Sequence, residues 1–155
     1  MDLTNLNIRK RHLPHWEAEG VTYFITFRSV TDKLSVDEQV IVRDHVVEGH
    51  GKFYDLTAVI VMDDHAHVIL QPIQPYSLID NLRGIKGVSA RKINTIRVSQ
   101  GSIWQAESFD RIIRDDVELI EKLFYMLHNP VKRGLTKDPW HYHGWWCNTN
   151  TVFVK

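Results

Sequence analysis

Two histidines one residue apart, His65 and His67 in VMDDHAHVILQP (residues 61–72), are the residues of this chain whose types and spacing first suggest chemistry. On a strand, residues i and i+2 project from the same face, so both imidazoles can aim at one point. They could be a metal pair or two histidines that merely share a surface. Spacing alone favours the plainer reading. Nine histidines in 155 positions yield roughly half of one such pair by chance, and a second pair, His141 and His143, stands in WHYHGWW. A metal centre needs a third ligand and a reacting group beside it.

One later segment offers both. In RDDVELIEKLFYMLHNP, Tyr125 and Asn129 are four residues apart, the spacing that places two side chains on one helix face, with Glu121 a turn earlier. The apolar stripe reads as Val117, Ile120, Leu123, Phe124 and Leu127, and Tyr125 is out of phase with its main line. The plainer alternatives are a half-buried tyrosine at the stripe's edge and, for Asn129, a polar cap ahead of Pro130.

The elements that must position these residues follow from pattern. VTYFITFRSV (21–30) is β-branched and aromatic and predicts a strand. SVDEQVIVRDHVVEGHG carries Ser35 and Glu38 at capping-box spacing before a valine-rich helix that Gly49 and Gly51 can stop. KFYDLTAVIVM and HAHVILQP flank an Asp63–Asp64 turn and predict a hairpin. A helix is expected over 77–97, weakened by Gly84 and Gly87. FDRIIRD reads as a short strand after a loop holding Trp104, and the Tyr125 helix opens at Asp115, with Pro130 expected to end or kink it. The order β-α-β-β-α-β-α predicts an α+β, ferredoxin-like sandwich: a mainly antiparallel sheet with helices on one face.

Composition narrows the setting. With 155 residues, 43% hydrophobic and 25% charged, the chain suits one globular domain. No apolar run approaches the ~20 residues of a membrane span, and the first residues lack the apolar core of a signal peptide. Cys147 is the single cysteine, which excludes an internal disulfide and a thiolate-rich zinc module and fits a reducing, cytoplasmic setting. Nineteen basic residues balance nineteen acidic ones, against a general polyanion binder. The charges are uneven, however. Residues 83–97 hold Arg83, Lys86, Arg91, Lys92 and Arg97 without an acid, and a second basic knot runs from Arg9 through Lys10 and Arg11 to His12. Each is either a solvated face or a phosphate-contacting strip.

Four segments in order resemble the single-tyrosine HUH transposase family, most closely its REP-associated tyrosine transposase branch. RKRHLPHWEAEGVTYFITFR is similar to the branch's entry segment and first strand, and AVIVMDDHAHVILQP to its His-hydrophobic-His strand. GIKGVSARKIN is similar to its central basic helix, and IWQAESFDRIIRDDVELIEKLFYMLHNPVKRGL to the tryptophan, the Phe-Asp-Arg strand and the tyrosine helix ending in Asn-Pro. Asp63 departs from a frequent proline, and the segment after residue 140 matches loosely.

The resemblance implies a single HUH transposase-like domain over 1–155, with residues 1–20 contacting DNA and 141–155 as a C-terminal tail. It implies Tyr125 as nucleophile, and His65, His67 and Asn129 as ligands of Mg²⁺ or Mn²⁺. The implied activity is cleavage and transfer of single-stranded DNA at hairpins through a 5′-phosphotyrosine, by a monomer or homodimer at the nucleoid. Arg9, Lys10, Arg11, His12, Arg83, Lys86, Arg91 and Lys92 are the expected DNA contacts, with Trp16 or Trp104 either stacking bases or packing in the core. Two alternatives stand beside it. One is a hairpin-binding protein of the same fold that has lost cleavage. The other is a small zinc hydrolase using the histidines with Asp63 or Asp64.

Overall fold

The apolar runs on either side of Asp63–Asp64 are strands, and Met62 N–H donates to the His65 carbonyl at 2.8 Å across the turn. The structure, a computed structural model, describes residues 6–8, 20–30 and 33–154. Its elements are β1 (Leu6–Ile8), β2 (Thr22–Ser29), α1 (Val36–Glu48), β3 (Tyr54–Val61), β4 (His65–Pro72), α2 (Leu78–Arg97), β5 (Trp104–Ile113) and α3 (Asp116–Lys132). A 3-10 turn over Pro139–His141, β6 (Trp145–Cys147) and β7 (Val152–Val154) complete them. Strands β5-β2-β4-β3-β6 form one antiparallel sheet, and β1 pairs with β7 in a small second one. The expected α+β architecture and the order of its seven central elements are therefore present.

Helices cover both faces of this sheet, not one. Ala66, Val68 and Leu70 pack with Val42 and Val46 of α1 and Ile85 and Ile93 of α2. Ile60 and Ile69 pack with Leu119, Leu123 and Met126 of α3 on the other side. The central strands explain why. β3 and β4 are apolar at both odd and even positions, so neither face can be left to water. Burying each large aliphatic side chain contributes about 1.5–3 kcal/mol.

Capping follows the sequence closely. Ser35 and Glu38 form a reciprocal capping box on α1, and Ser77 and Asp80 form another on α2. At α3, Asp115 accepts from Glu118 N–H, while the Glu118 carboxylate reaches back to Arg114 N–H instead of the cap. The stripe on α3 is Leu119, Leu123, Met126, Leu127 and Pro130, and Val117 is exposed, so the stripe's phase differs from the expectation. Pro130 does not end the helix, which continues to Lys132. Trp104 opens β5 as a core residue: its indole N–H donates to Ser89 Oγ at 2.9 Å and its ring meets Phe27 edge-on.

The segment after residue 140 is packed into the fold at Tyr142, Trp145 and Val152, which are buried. β6 adds an edge strand to β3, and Val61 N–H donates to the Gly144 carbonyl. Glycine is required there, since a Cβ on Gly144 would lie 2.1 Å from the Val61 carbonyl oxygen. Among the described residues no helix is long and apolar enough to cross a membrane.

Candidate active site

His65 and His67 project from the sheet face that α3 covers, and α3 brings Asn129 and Tyr125 to them. The Asn129 amide donates through Nδ2 to His65 Nε2 at 3.1 Å. A half-turn of that amide exchanges Nδ2 for Oδ1 in nearly the same volume, so it can present either a donor or an oxygen ligand. The two imidazole rings are 4.8 Å apart between centroids, and the Tyr125 ring is 5.3 Å from that of His67. Both histidines are buried, at 7% and 2% exposed, whereas Tyr125 is 55% exposed. The site therefore has a dry floor and a phenol at its rim.

Each histidine is held by its other nitrogen. His67 Nδ1 meets Thr26 Oγ1 at 2.8 Å, across the β2–β4 register that pairs Thr26 with His67. His65 Nδ1 meets Asp64 Oδ1 at 2.7 Å. Asp64 is in turn bridged to Arg133 at 3.3 Å, and Arg133 also contacts Asp63 at 3.0 Å. Burial works against charge on Asp64, but the hydrogen bond and charge of His65, with Arg133, hold its carboxyl below the usual range.

These tethers leave both Nε2 atoms turned inward. His67 Nε2 is buried without a hydrogen-bond partner. Burial first, then the positive charges of His65, Arg28 and Lys122, push the His67 pKa down to about 3. Its ring is thus the neutral, lone-pair-bearing form that binds metals. A donor set of two imidazoles with carboxylate- and hydroxyl-anchored Nδ1 atoms fits a metal site. Among the described residues no three His, Cys, Asp or Glu side chains converge as ligands, and the side chain that α3 brings against His65 Nε2 is the Asn129 amide.

Two other sequence candidates separate from this site. His141 lies on the 3-10 turn bonded to Asp138, and His143 bonds Gln39 Oε1 at 2.7 Å. Off a strand, i and i+2 no longer share a face, so this second pair does not converge. The α2 cations lie on the opposite face of the sheet from His67. Lys86 Nζ is engaged by the Gln105 and Ala106 carbonyls and Ser108 Oγ on β5, and Lys92 pairs with Glu48 at 3.6 Å. Arg83 and Arg91 line a cavity beside α1. Arg9, Lys10, Arg11, His12 and Trp16 lie outside the described residues.

The sequence reading missed the groups around the pair. Thr26 and Arg28 sit opposite His67 and His65 on β2, and Lys122 lies 5.0 Å over the Phe24 ring, which itself stacks on His67. The signal for Asp64 was adjacency to His65, and for Arg133 its place one helical turn beyond Asn129. Nothing in sequence spacing marks Thr26 or Arg28, because strand register selects them.

The antiparallel α+β sheet with its buried His-x-His pair beneath the tyrosine and asparagine helix shares its fold with a solved transposase. More specifically, the chain has the fold of a REP-associated tyrosine transposase and is similar to that group in sequence. A solved structure described as a REP-associated tyrosine transposase bound to a REP hairpin aligns over 83% of this chain and 77% of that one. Its TM-score is 0.65 at 20% identity. A curated protein of Haemophilus influenzae named "Putative REP-associated tyrosine transposase" is 28% identical over 102 residues. That match covers 57% of this chain and 57% of the relative. No protein-family model matches the chain.

Proposed function

We propose that this protein is a metal-dependent endonuclease and strand transferase that cleaves single-stranded DNA at hairpins through a 5′-phosphotyrosine on Tyr125. The observation that carries the reading is the inward, unpartnered Nε2 of His67 beside His65 and Asn129, with the exposed Tyr125 phenol at the rim. Hairpin DNA as substrate is supported by the fold it shares with a protein described as bound to a REP hairpin.

His65 Nε2, His67 Nε2 and the Asn129 side-chain oxygen would hold Mg²⁺ or Mn²⁺, whose chemistry when bound is to offset charge on a phosphate oxygen in the transition state. The rest falls to the chain. Thr26 and Asp64 fix the two imidazoles so that neither must reorganise during the reaction. Arg28 and Lys122 add positive potential on the same face, favouring an anionic strand.

The Tyr125 oxygen attacks phosphorus and the bond from phosphorus to the 3′-oxygen breaks. The phenol loses one proton and the departing 3′-oxygen gains one, so the step is proton-neutral. One phosphodiester replaces another, and attack by a 3′-hydroxyl in reverse rejoins DNA without nucleotide hydrolysis. Asp63 and Asp64 are occupied by Arg133, which removes the support for a hydrolase that uses them.

The test is a labelled single-stranded hairpin oligonucleotide with Mn²⁺, read on a denaturing gel. The expected product is a covalent protein–DNA adduct that disappears in Tyr125→Phe while hairpin binding persists. An adduct undiminished in Tyr125→Phe refutes the nucleophile. Hairpin binding with no adduct under any divalent metal leaves a binding protein of this fold and refutes the enzyme.

A further inference from the structure

Pro130 sits inside α3, one residue after Asn129. Proline has no N–H, so the Met126 carbonyl loses the helical bond it would otherwise accept. The last turn of α3 is therefore held to the rest of the helix by one bond fewer. That turn carries Asn129, and Tyr125 lies just before it. Yet Asn129 Nδ2 stands 3.1 Å from His65 Nε2, a placement that needs support from outside the helix.

Arg133 supplies it. Its backbone N–H donates to the Asn129 carbonyl at 3.2 Å, and Gly134 and Leu135 close the helix behind it on the Val131 and Pro130 carbonyls. From this cap, about 6 Å along the axis beyond Asn129, the guanidinium spans the β3–β4 turn. Nη2 is 3.0 Å from Asp63 Oδ1, and Nη1 is 3.3 Å from Asp64 Oδ1. Asp63 Oδ1 is buried and receives no aligned hydrogen bond, so the Arg133 charge is what offsets it. The other Asp63 oxygen, Oδ2, faces Lys33 Nζ at 3.6 Å, from an exposed side chain.

The turn is a fixed anchor. Leu34 N–H donates to the Asp63 carbonyl at 2.6 Å, Ser29 N–H to the Asp64 carbonyl at 2.9 Å, and Met62 N–H to the His65 carbonyl at 2.8 Å. These bonds tie it to β2, to the segment before α1 and across its own hairpin. The Asp64 Oδ1 that meets Arg133 also meets His65 Nδ1 at 2.7 Å. One carboxylate oxygen therefore joins the end of α3 to the imidazole that Asn129 faces.

We propose that Arg133 is a positioning residue that, through Asp63 and Asp64, holds the Asn129 turn of α3 against His65 for metal binding. This rests on the reading of His65, His67 and Asn129 as the metal set. Arg133 does not touch the reacting atoms; it acts through the two aspartates. An ordinary surface ion pair contributes little. Here one guanidinium meets two carboxylates, one of them with a buried oxygen, at the helix turn weakened by Pro130.

Two variants of the full-length protein each remove a cation from Asp63, and only one of them cuts the link to α3. Mn²⁺ binding is read without DNA from the paramagnetic resonance of the free ion and assigned to this site by its loss in His67→Ala. Arg133→Met is expected to weaken it about ten-fold, the lower end for loss of an outer partner of a metal site. Lys33→Met is expected to leave it unchanged. With Asp63→Asn already in place, the penalty of Arg133→Met is expected to shrink, because the two side chains act as one unit. At sub-saturating Mn²⁺, Arg133→Met is expected to slow formation of the Tyr125 adduct while hairpin affinity is kept. In the metal-free protein the amides of Asn129, Val131 and Lys132 are expected to lose exchange protection in Arg133→Met, with Leu119 to Leu123 unchanged. Mn²⁺ binding unchanged in Arg133→Met, or lowered equally in Lys33→Met, overturns the proposal. So does a penalty undiminished by Asp63→Asn, or full protection kept at Asn129. A fall in hairpin affinity with Mn²⁺ binding intact would make Arg133 a DNA contact and also overturns it. The exchange measurement needs neither metal nor DNA, so failure of the clamp is told apart from failure of the metal reading. The latter shows as a parent that binds no Mn²⁺, and it removes both.

Discussion

Replacing Thr26 by valine isolates what a single hydroxyl does for the histidine pair. Valine keeps the branched shape and the strand propensity, so the change removes the 2.8 Å contact to His67 Nδ1 with little change in volume. His67 is buried, so Nδ1 cannot turn to water for a substitute. An unpaired buried group of this kind costs about 1–3 kcal/mol, measurable by urea unfolding in the presence of a chelator. The functional effect is separate. For His67 Nε2 to bind a metal, Nδ1 must carry the proton, and Thr26 Oγ1 accepts it. Loss of such an outer partner typically lowers metal affinity about 10–100-fold. The Mn²⁺ concentration giving half-maximal Tyr125 adduct is therefore expected to rise by that factor, with the plateau largely kept. Thr26→Ser, which retains the hydroxyl, is expected to restore most of both quantities. If Thr26→Val matches the parent in stability and Mn²⁺ midpoint, the reasoning about this tether is wrong.

Two further changes test the frame around the site. Arg97 holds the buried Glu38 through bonds of 2.6 and 2.9 Å, joining the end of α2 to the start of α1. Arg97→Met is expected to destabilise, by less than the ~3–5 kcal/mol of a fully buried pair because Arg97 is partly exposed. The hydrogen bond from Arg97, against burial, holds Glu38 below its ordinary pKa of 4.5. A depressed carboxyl contributes stability that is complete above 4.5 and lost as pH falls through its lower folded value. The gap between parent and Arg97→Met should therefore close on acidification in urea titrations at stepped pH; a gap that widens would contradict the assignment. Gly144→Ala forces a Cβ to 2.1 Å from the Val61 carbonyl and is expected to cost about 1–3 kcal/mol. Amide exchange should show β6 peeling from β3, and unchanged protection there would refute it.

Much of the site was legible before any fold was known, for reasons that are local. His65 and His67 share a face because strand period is two, and Tyr125 and Asn129 share one because helical period is 3.6. The caps Ser35 and Asp115 were legible because each acts within four residues of itself. The α3 stripe was misphased because Val117 and Leu119 are both apolar, and only packing against Ile60 and Ile69 selects between them. Helices on a single face were expected from topology. The strands' apolar residues at both parities, visible in AVIVM and AHVIL, already required cover on both sides.

What the sequence determined by itself is therefore the periodic content: which residues form each element, and which side chains leave it together. Tertiary structure alone decided which of those faces meet. It set α3 over β4 so that Asn129 reaches His65, and through register it put Thr26 against His67. It also put Arg83 and Arg91 of α2 behind the sheet, beside α1 and away from Tyr125. Periodicity is a property of a few consecutive residues, whereas these pairings join positions 41 and 64 residues apart. Only the burial of both sheet faces could choose them.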